Sequence, residues 1–331
     1  MKIAIIGGGW VGCHLAMKLM DYHDITIFEK EFELFTETSF KNQNRLHYGY
    51  HYPRNYKTRE LCKNTHEKFI SDYSFLIKDV PKNLYCIPTK KSLIDFKTYT
   101  NIFKDYNFEF SDNPLKNIEG CINTNEKFID HRIAKKWFNN KLKDLTVQKK
   151  VTKQNIKKIS KNYDLVINST NNLLKLYDTD SFYELTISLI YKKLNNTLFD
   201  SITIMDGKFF SIYPYGDDLF TLTDVEYTPI KKFKSPKKIE SYKSKITKSK
   251  IESIKNKMEK KVLEYYDDFN NHFKYHDFFL SVKCKTVSGS DERYPIINKN
   301  GNIIDCYTGK IQGIYIITDY VNRVIYENIN R

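Results

Sequence analysis

The run Gly7-Gly8-Gly9-Trp10-Val11-Gly12 constrains this chain more than any other. It follows the β-branched stretch Lys2-Ile3-Ala4-Ile5-Ile6 and precedes residues 13–20, whose apolar side chains recur at helical spacing. Strand, glycine turn and helix in that order predict a parallel βαβ unit. Gly7 permits the tight turn, Gly9 lets backbone approach a pyrophosphate, and Gly12 lets helix and strand pack closely. The N–H groups at the helix start then face the phosphates. A second strand-like run, residues 24–28, ends in Glu29, seventeen residues after Gly12. Its carboxylate is placed to accept hydrogen bonds from an adenosine ribose 2′-hydroxyl and to repel a 2′-phosphate. These features predict a bound dinucleotide and disfavour NADP at this site.

The chain has 331 residues, 40% of them hydrophobic and 15% aromatic. That is enough for two domains and a sizeable core, and it excludes collagen-like and disordered chains. No apolar run approaches the ~18–20 residues of a membrane span, and Met1 leads straight into a strand, so a cytoplasmic protein is expected. The six cysteines are scattered without a C-x-x-C, which suggests neither zinc nor a disulfide framework and suits a reducing compartment. No metal is expected. The net charge of +14 suits a small anionic substrate. Nucleic acid is disfavoured as a partner, because the lysines are spread along the chain and no aromatic-plus-basic module is visible. The oligomeric state is left open.

Beyond Glu29-Lys30 the run from Phe35 to Arg54 is polar, aromatic and histidine-bearing, as a segment lining a cofactor would be. It resembles the D-amino-acid-oxidase-like superfamily of FAD-dependent oxidoreductases, nearest the L-2-hydroxyglutarate dehydrogenase and glycerol-3-phosphate dehydrogenase branches. In those, a Thr/Ser-rich turn, an Asn and a His-x-Gly-x-x-Tyr run follow the ribose-binding acid. The matching residues are Thr38, Ser39, Asn44, His47, Gly49 and Tyr52, and residues 57–62 continue the likeness. Phe128-Ile129-Asp130-His131-Arg132 resembles the family's Ile-Asp-Pro motif, with Asp130 a helix N-cap. Residues 163–171 resemble the strand that returns to the dinucleotide. Residues 284–297 resemble the substrate-face strand and its acidic turn, including Asp291. Gly309-Lys310-Ile311 stands where the flavin-contacting glycine loop would be, reduced here to Gly309 and Gly313.

The resemblance implies FAD as cofactor, held by Gly7, Gly9, Gly12, Glu29, Lys30, Thr38, Ser39, Asn44, Arg45, Gly309, Lys310 and Ile311. The expected fold is α/β, a Rossmann-type FAD-binding domain with a discontinuous antiparallel β-sheet substrate domain. The first would comprise residues 1–82, 122–184 and 283–331, and the second residues 83–121 and 185–282. Helices are expected over residues 54–76 and 134–142, strands over 83–89, 145–151 and 278–282, a meander over 185–224, and a helical, lysine-rich segment over 235–270.

Flavin chemistry leaves three roles to side chains: a base for the hydroxyl or amine proton, a cation for the substrate anion, and a donor to the reduced ring. His47 and His51 are the candidate bases. Arg293 and Lys285, with Arg45 third, are candidate anion clamps. Lys310 is the candidate donor. Tyr213 and Tyr215 could roof the pocket, and Cys284 stands where a sarcosine-oxidase-like member carries flavin covalently. The activity implied is oxidation of a small anionic 2-hydroxy acid or amino acid by hydride transfer to flavin N5. The alternatives are a FAD- or NAD-dependent enzyme modifying a sugar nucleotide, and a flavin-binding protein without turnover.

Overall fold

The computed structural model describes residues 1–177, 179–287 and 292–330. Lys2–Ile6 lies at the centre of a six-stranded sheet, between the parallel strands Asp24–Glu29 and Leu165–Asn168, with Ile5 opposite both Ile27 and Ile167. A continuous β-branched run is what a strand covered on both faces requires. Thr146–Gln148 extends the sheet on one side. Ile303–Tyr307 extends it on the other and turns back antiparallel as Ile296–Asn300. Helices Trp10–Leu19, Tyr56–Tyr73, His131–Leu142 and Ile314–Ile329 bury their apolar faces in one core that includes Ile3 and Ile5. Asp130 caps its helix as expected, its Oδ1 accepting from the N–H groups of Arg132 and Ile133 at 3.2 and 3.3 Å.

A second, nine-stranded sheet is built mainly from residues 181–233, joined by Asn83–Pro88, Phe108–Ser111, Ile118–Thr124 and Phe273–Thr286. Its spine is the antiparallel pair Ser181–Lys193 and Phe273–Thr286, running from Ser181 opposite Thr286 to Lys193 opposite Phe273. It is not antiparallel throughout, because Asn83–Pro88 runs parallel to Ser201–Ile204. The helix Lys248–Leu263 covers one face through Ile254, Met258 and Val262.

The lysine-rich segment is not one helix. Thr247 restarts it by accepting from the Lys250 N–H, leaving Ile239–Lys243, Lys248–Leu263 and Phe269–His272 as separate pieces. The strand expected over 145–151 is confined to Thr146–Gln148. We propose the domain division given above on the separation of the two sheets, with Ser181–Lys193 and Phe273–Thr286 running across it. A small third sheet, in which Arg45–Leu46 and Ile77–Lys78 flank Lys127–Ile129, sits where both parts meet.

Candidate active site

The glycine turn is shaped by what it cannot accommodate. Gly7 has φ +103° and donates its N–H to the Phe28 carbonyl at 2.9 Å. A Cβ on Gly12 would stand 1.9 Å from the Gly7 oxygen, and one on Gly9 2.8 Å from Ser39 Oγ. The Glu29 carboxylate is fixed at the end of its strand, accepting from the Gly8 N–H at 2.6 Å and the Glu31 N–H at 3.0 Å. Ser39 Oγ accepts from the Trp10 N–H at the helix start, at 2.9 Å. A bare backbone turn, a helix N-terminus with a hydroxyl beside it and a tethered carboxylate fit the diphosphate and ribose of FAD. Gly12→Ala should therefore give a colourless protein. The added methyl meets a backbone oxygen that cannot swing aside, at a cost of roughly 1–3 kcal/mol. The ratio of flavin to protein absorbance after purification checks this, with Gly301→Ala, where nothing lies within 4 Å, as the control.

Other residues expected at the cofactor have different surroundings. Lys30 is exposed and pairs with Glu31 and Glu37 at 3.0 and 3.7 Å. Asn44 has φ +56° and closes its own turn, donating to the carbonyls of Asn42 and Phe40 at 2.9 and 3.4 Å. Thr38 donates to the Val282 carbonyl at 2.9 Å, tying the cofactor segment to the long strand of the second sheet.

Arg45 needs correction both as a cofactor ligand and as an anion clamp. Its guanidinium is buried, donating to Tyr85 Oη at 2.6 Å and to Thr203 Oγ1 and Ser211 Oγ at 2.9 Å each. It lies 3.9 Å over the Tyr213 ring and 3.6 Å from Glu126. Glu126, which carries no signal in the sequence, is fully buried and stands between Arg45 and His47. Tyr213 is thus a platform for Arg45, while Tyr215 packs on His131 and Phe279. Cys284 sits in an apolar cluster with Tyr183, Leu185 and Tyr307, where burial pushes its thiol up.

A second group forms where the end of the long strand, the segment after it and the Gly309 loop converge. The Arg293 N–H donates to Thr58 Oγ1 at 2.9 Å, and Gly309 leaves room for its side chain, since a Cβ there would stand 2.7 Å from Arg293 Cδ. Burial, with Arg293 and Lys283 adding repulsion, brings the Lys310 ammonium down to about 7. Lys310 also lies 4.8 Å from the Tyr52 ring. Lys283, also missed from the sequence, is lowered to about 8 by burial and by Lys285 and Arg293. Lys285 is committed elsewhere, its ammonium 2.5 Å from Glu184. Ile311 opens the turn Ile311–Gly313 at the start of the last helix. Gln312 there is fully buried and donates to the His47 and Cys62 carbonyls.

His47 and His51 face this group with ring centroids 5.5 Å apart. Burial and the nearby Lys310 hold His47 down to about 4, and burial drives His51 well below the ordinary range. Both imidazoles are neutral at pH 7 and able to accept a proton. Asp291 and the three residues before it lie outside the described residues.

Comparisons with known proteins bear on the fold and the cofactor. Residues 2–78 match the family described as DAO, FAD dependent oxidoreductase. The chain is 29% identical over 337 residues to the FAD-dependent monooxygenase FPY4 of Fusarium mangiferae, covering 98% of this chain and 91% of that protein. Glycine oxidase from Geobacillus kaustophilus superposes with a TM-score of 0.71 at 9% identity, covering 98% of this chain and 94% of the other. FAD-bound L-α-glycerophosphate oxidase from Mycoplasma pneumoniae does so with a TM-score of 0.67 at 15% identity and the same coverage. Among the described residues no helix is long and apolar enough to cross a membrane. The glycine cradle, the match of residues 2–78 to that family and the fold shared with these FAD-binding oxidases together make this chain an FAD-dependent oxidoreductase, similar over its N-terminal part to the DAO family.

Proposed function

We propose that the enzyme oxidises a small anionic 2-hydroxy acid or amino acid, with Arg293 and Lys283 holding the anion and His47 taking up the hydroxyl or amine proton. The observation that carries this reading is the convergence of Lys283, Arg293 and Lys310 beside two neutral, buried histidines. Bound FAD supplies the two-electron acceptor. Burial first, and then mutual repulsion among the cations, lowers Lys283 and Lys310, and an incoming carboxylate offsets that repulsion. Arg293 adds a planar fork that can orient it. Neutral imidazole is the form a base must take, and His47 holds it throughout the physiological range.

Anaerobic mixing with a panel of 2-hydroxy acids and amino acids tests the reading, with flavin absorbance as the readout. At least one compound should bleach the flavin without any nicotinamide. In Arg293→Ala its binding should weaken by about 2–3 kcal/mol, read as a rise in apparent dissociation constant, because the anion is left partly desolvated and unpaired. Surface cations give only about 0–1 kcal/mol. A wild-type dissociation constant in Arg293→Ala removes it as the clamp.

The second reading, hydroxylation by a reduced flavin, is favoured by the likeness to the Fusarium monooxygenase over almost the whole chain. It would show as a flavin that NADH or NADPH reduces and that the acids leave untouched.

A further inference from the structure

We propose that Glu126 is a positioning residue for His47, selecting the tautomer that carries its proton on Nδ1 and so leaving Nε2 as the proton acceptor. The proposal rests on the reading of His47 as the base for its bearing on catalysis, but not for its geometry.

Glu126 lies in the turn between Ile118–Thr124 and Lys127–Ile129, and no part of its side chain reaches solvent. Its Oε1 accepts from the backbone N–H groups of Tyr48 and Gly49, at 2.8 and 3.4 Å. The same oxygen is 3.5 Å from His47 Nδ1, a buried nitrogen with no hydrogen-bond partner. Its Oε2 accepts from Tyr85 Oη at 2.6 Å and lies 3.6 Å from Arg45 Nη1. One carboxylate therefore grips the backbone just after His47 and faces the nitrogen of the ring directed away from solvent. At 3.5 Å the contact is long for a hydrogen bond, and no other group partners that nitrogen, so the Glu126 carboxylate is the acceptor its N–H would meet.

The charges around His47 explain why a carboxylate is needed. Lys310 and Arg45 repel an imidazolium, His51 stands beside it, and burial disfavours charge; Glu126 is the opposing anion. Arg45 already neutralises Glu126, so the pair does not have to draw a second proton onto His47. What Glu126 still offers is an acceptor on one side of the ring. A neutral imidazole has one N–H and one lone pair, and the acceptor that meets one nitrogen decides what the other can do.

The test needs no substrate. Nitrogen-15 spectra of the FAD-loaded protein labelled at histidine separate the two tautomers by their ring-nitrogen shifts, and His47→Gln assigns the signals. In wild type the Nδ1–H form of His47 should exceed the Nε2–H form by about tenfold or more, as a charge-assisted hydrogen bond of ~1.5–3 kcal/mol implies. In Glu126→Gln, which keeps an oxygen for the Tyr48 and Gly49 N–H groups, the excess should fall to within about threefold. A purely structural Glu126 would lower the melting temperature and leave the tautomer ratio unchanged, and that result overturns the proposal. So does an Nε2–H His47 in wild type, an arm that decides the matter even if Glu126→Gln does not fold. Failure of every hydroxy and amino acid to bleach the flavin sinks the substrate reading alone and leaves the tautomer result standing.

Discussion

Arg45→Ala is expected to destabilise the folded chain by about 3–5 kcal/mol, the cost of removing one member of a buried ion pair. The loss is large because Arg45 is 5% exposed and its removal strands several groups together. Glu126 loses its neutralising partner, Tyr85 Oη, Thr203 Oγ1 and Ser211 Oγ lose a donor, and the Tyr213 ring loses the cation 3.9 Å above it. Arg45→Lys should recover only part, since an ammonium cannot reproduce a fork that reaches three hydroxyls at once. Lys18→Ala, which removes a solvent-accessible partner of Asp72, is the control at under ~1 kcal/mol. Urea denaturation followed by near-ultraviolet circular dichroism gives the comparison. An Arg45→Ala midpoint matching that of Lys18→Ala would mean that the buried network contributes nothing.

That network marks the border of what can be read from the sequence. The glycine turn, the acid at the end of the second strand and the Asp130 cap are local signals, each set by residues within a few positions of one another. The strand Leu165–Asn168 and the edges of the meander are legible for the same reason, through β-branched runs bounded by turn residues. Glu126 carries no such signal. It is one acid in a turn, 79 positions from His47, and it acquires meaning only when Lys127–Ile129 pairs with Arg45–Leu46 and places Phe128 opposite Arg45. Arg45 is misread for the complementary reason: beside a histidine-bearing cofactor segment it looks like an exposed cation, and only the packing of the second sheet against it supplies Tyr85, Thr203 and Ser211. Lys283 and Lys285, two positions apart, point to the same face of one strand, but which end of that face meets the cofactor domain is a tertiary fact. Thr38 and Asn171, both bonded to the Val282 carbonyl, show the Lys283 end to be the one that does.

Stability should fall steeply as the pH drops below about 6.5, because buried histidines have to be charged on unfolding. His14, whose Nδ1 lies 2.6 Å from Tyr73 Oη, is held down to about 3 by burial and by Lys18. His47 is held down to about 4, and so is His131, which is buried between Phe40 and Tyr215 with neither ring nitrogen hydrogen-bonded. In the unfolded chain each titrates near 6.5. Between that value and the folded one the unfolded state binds a proton that the folded state refuses, so stability present above pH 6.5 is lost as pH falls. Each histidine contributes about 1.4 kcal/mol per pH unit, and these three with His51, which burial also holds well below the ordinary range, contribute about 5–6 kcal/mol per unit between roughly pH 6.5 and 4. Asp305 works in the opposite direction. Burial raises it to about 6, so below that pH the folded state gains a proton before the unfolded one does, and burial raises Asp224 in the same sense, but these are two groups against four. A domain with a total stability of about 5–15 kcal/mol cannot sustain such a slope for long, and unfolding is expected near pH 5. Urea midpoints from pH 7.5 to 5 measure the slope. His131→Phe, which replaces an unbonded imidazole with a ring of similar shape, should remove about one quarter of it. A midpoint independent of pH over that range would show that these imidazoles are charged or solvated in the folded enzyme.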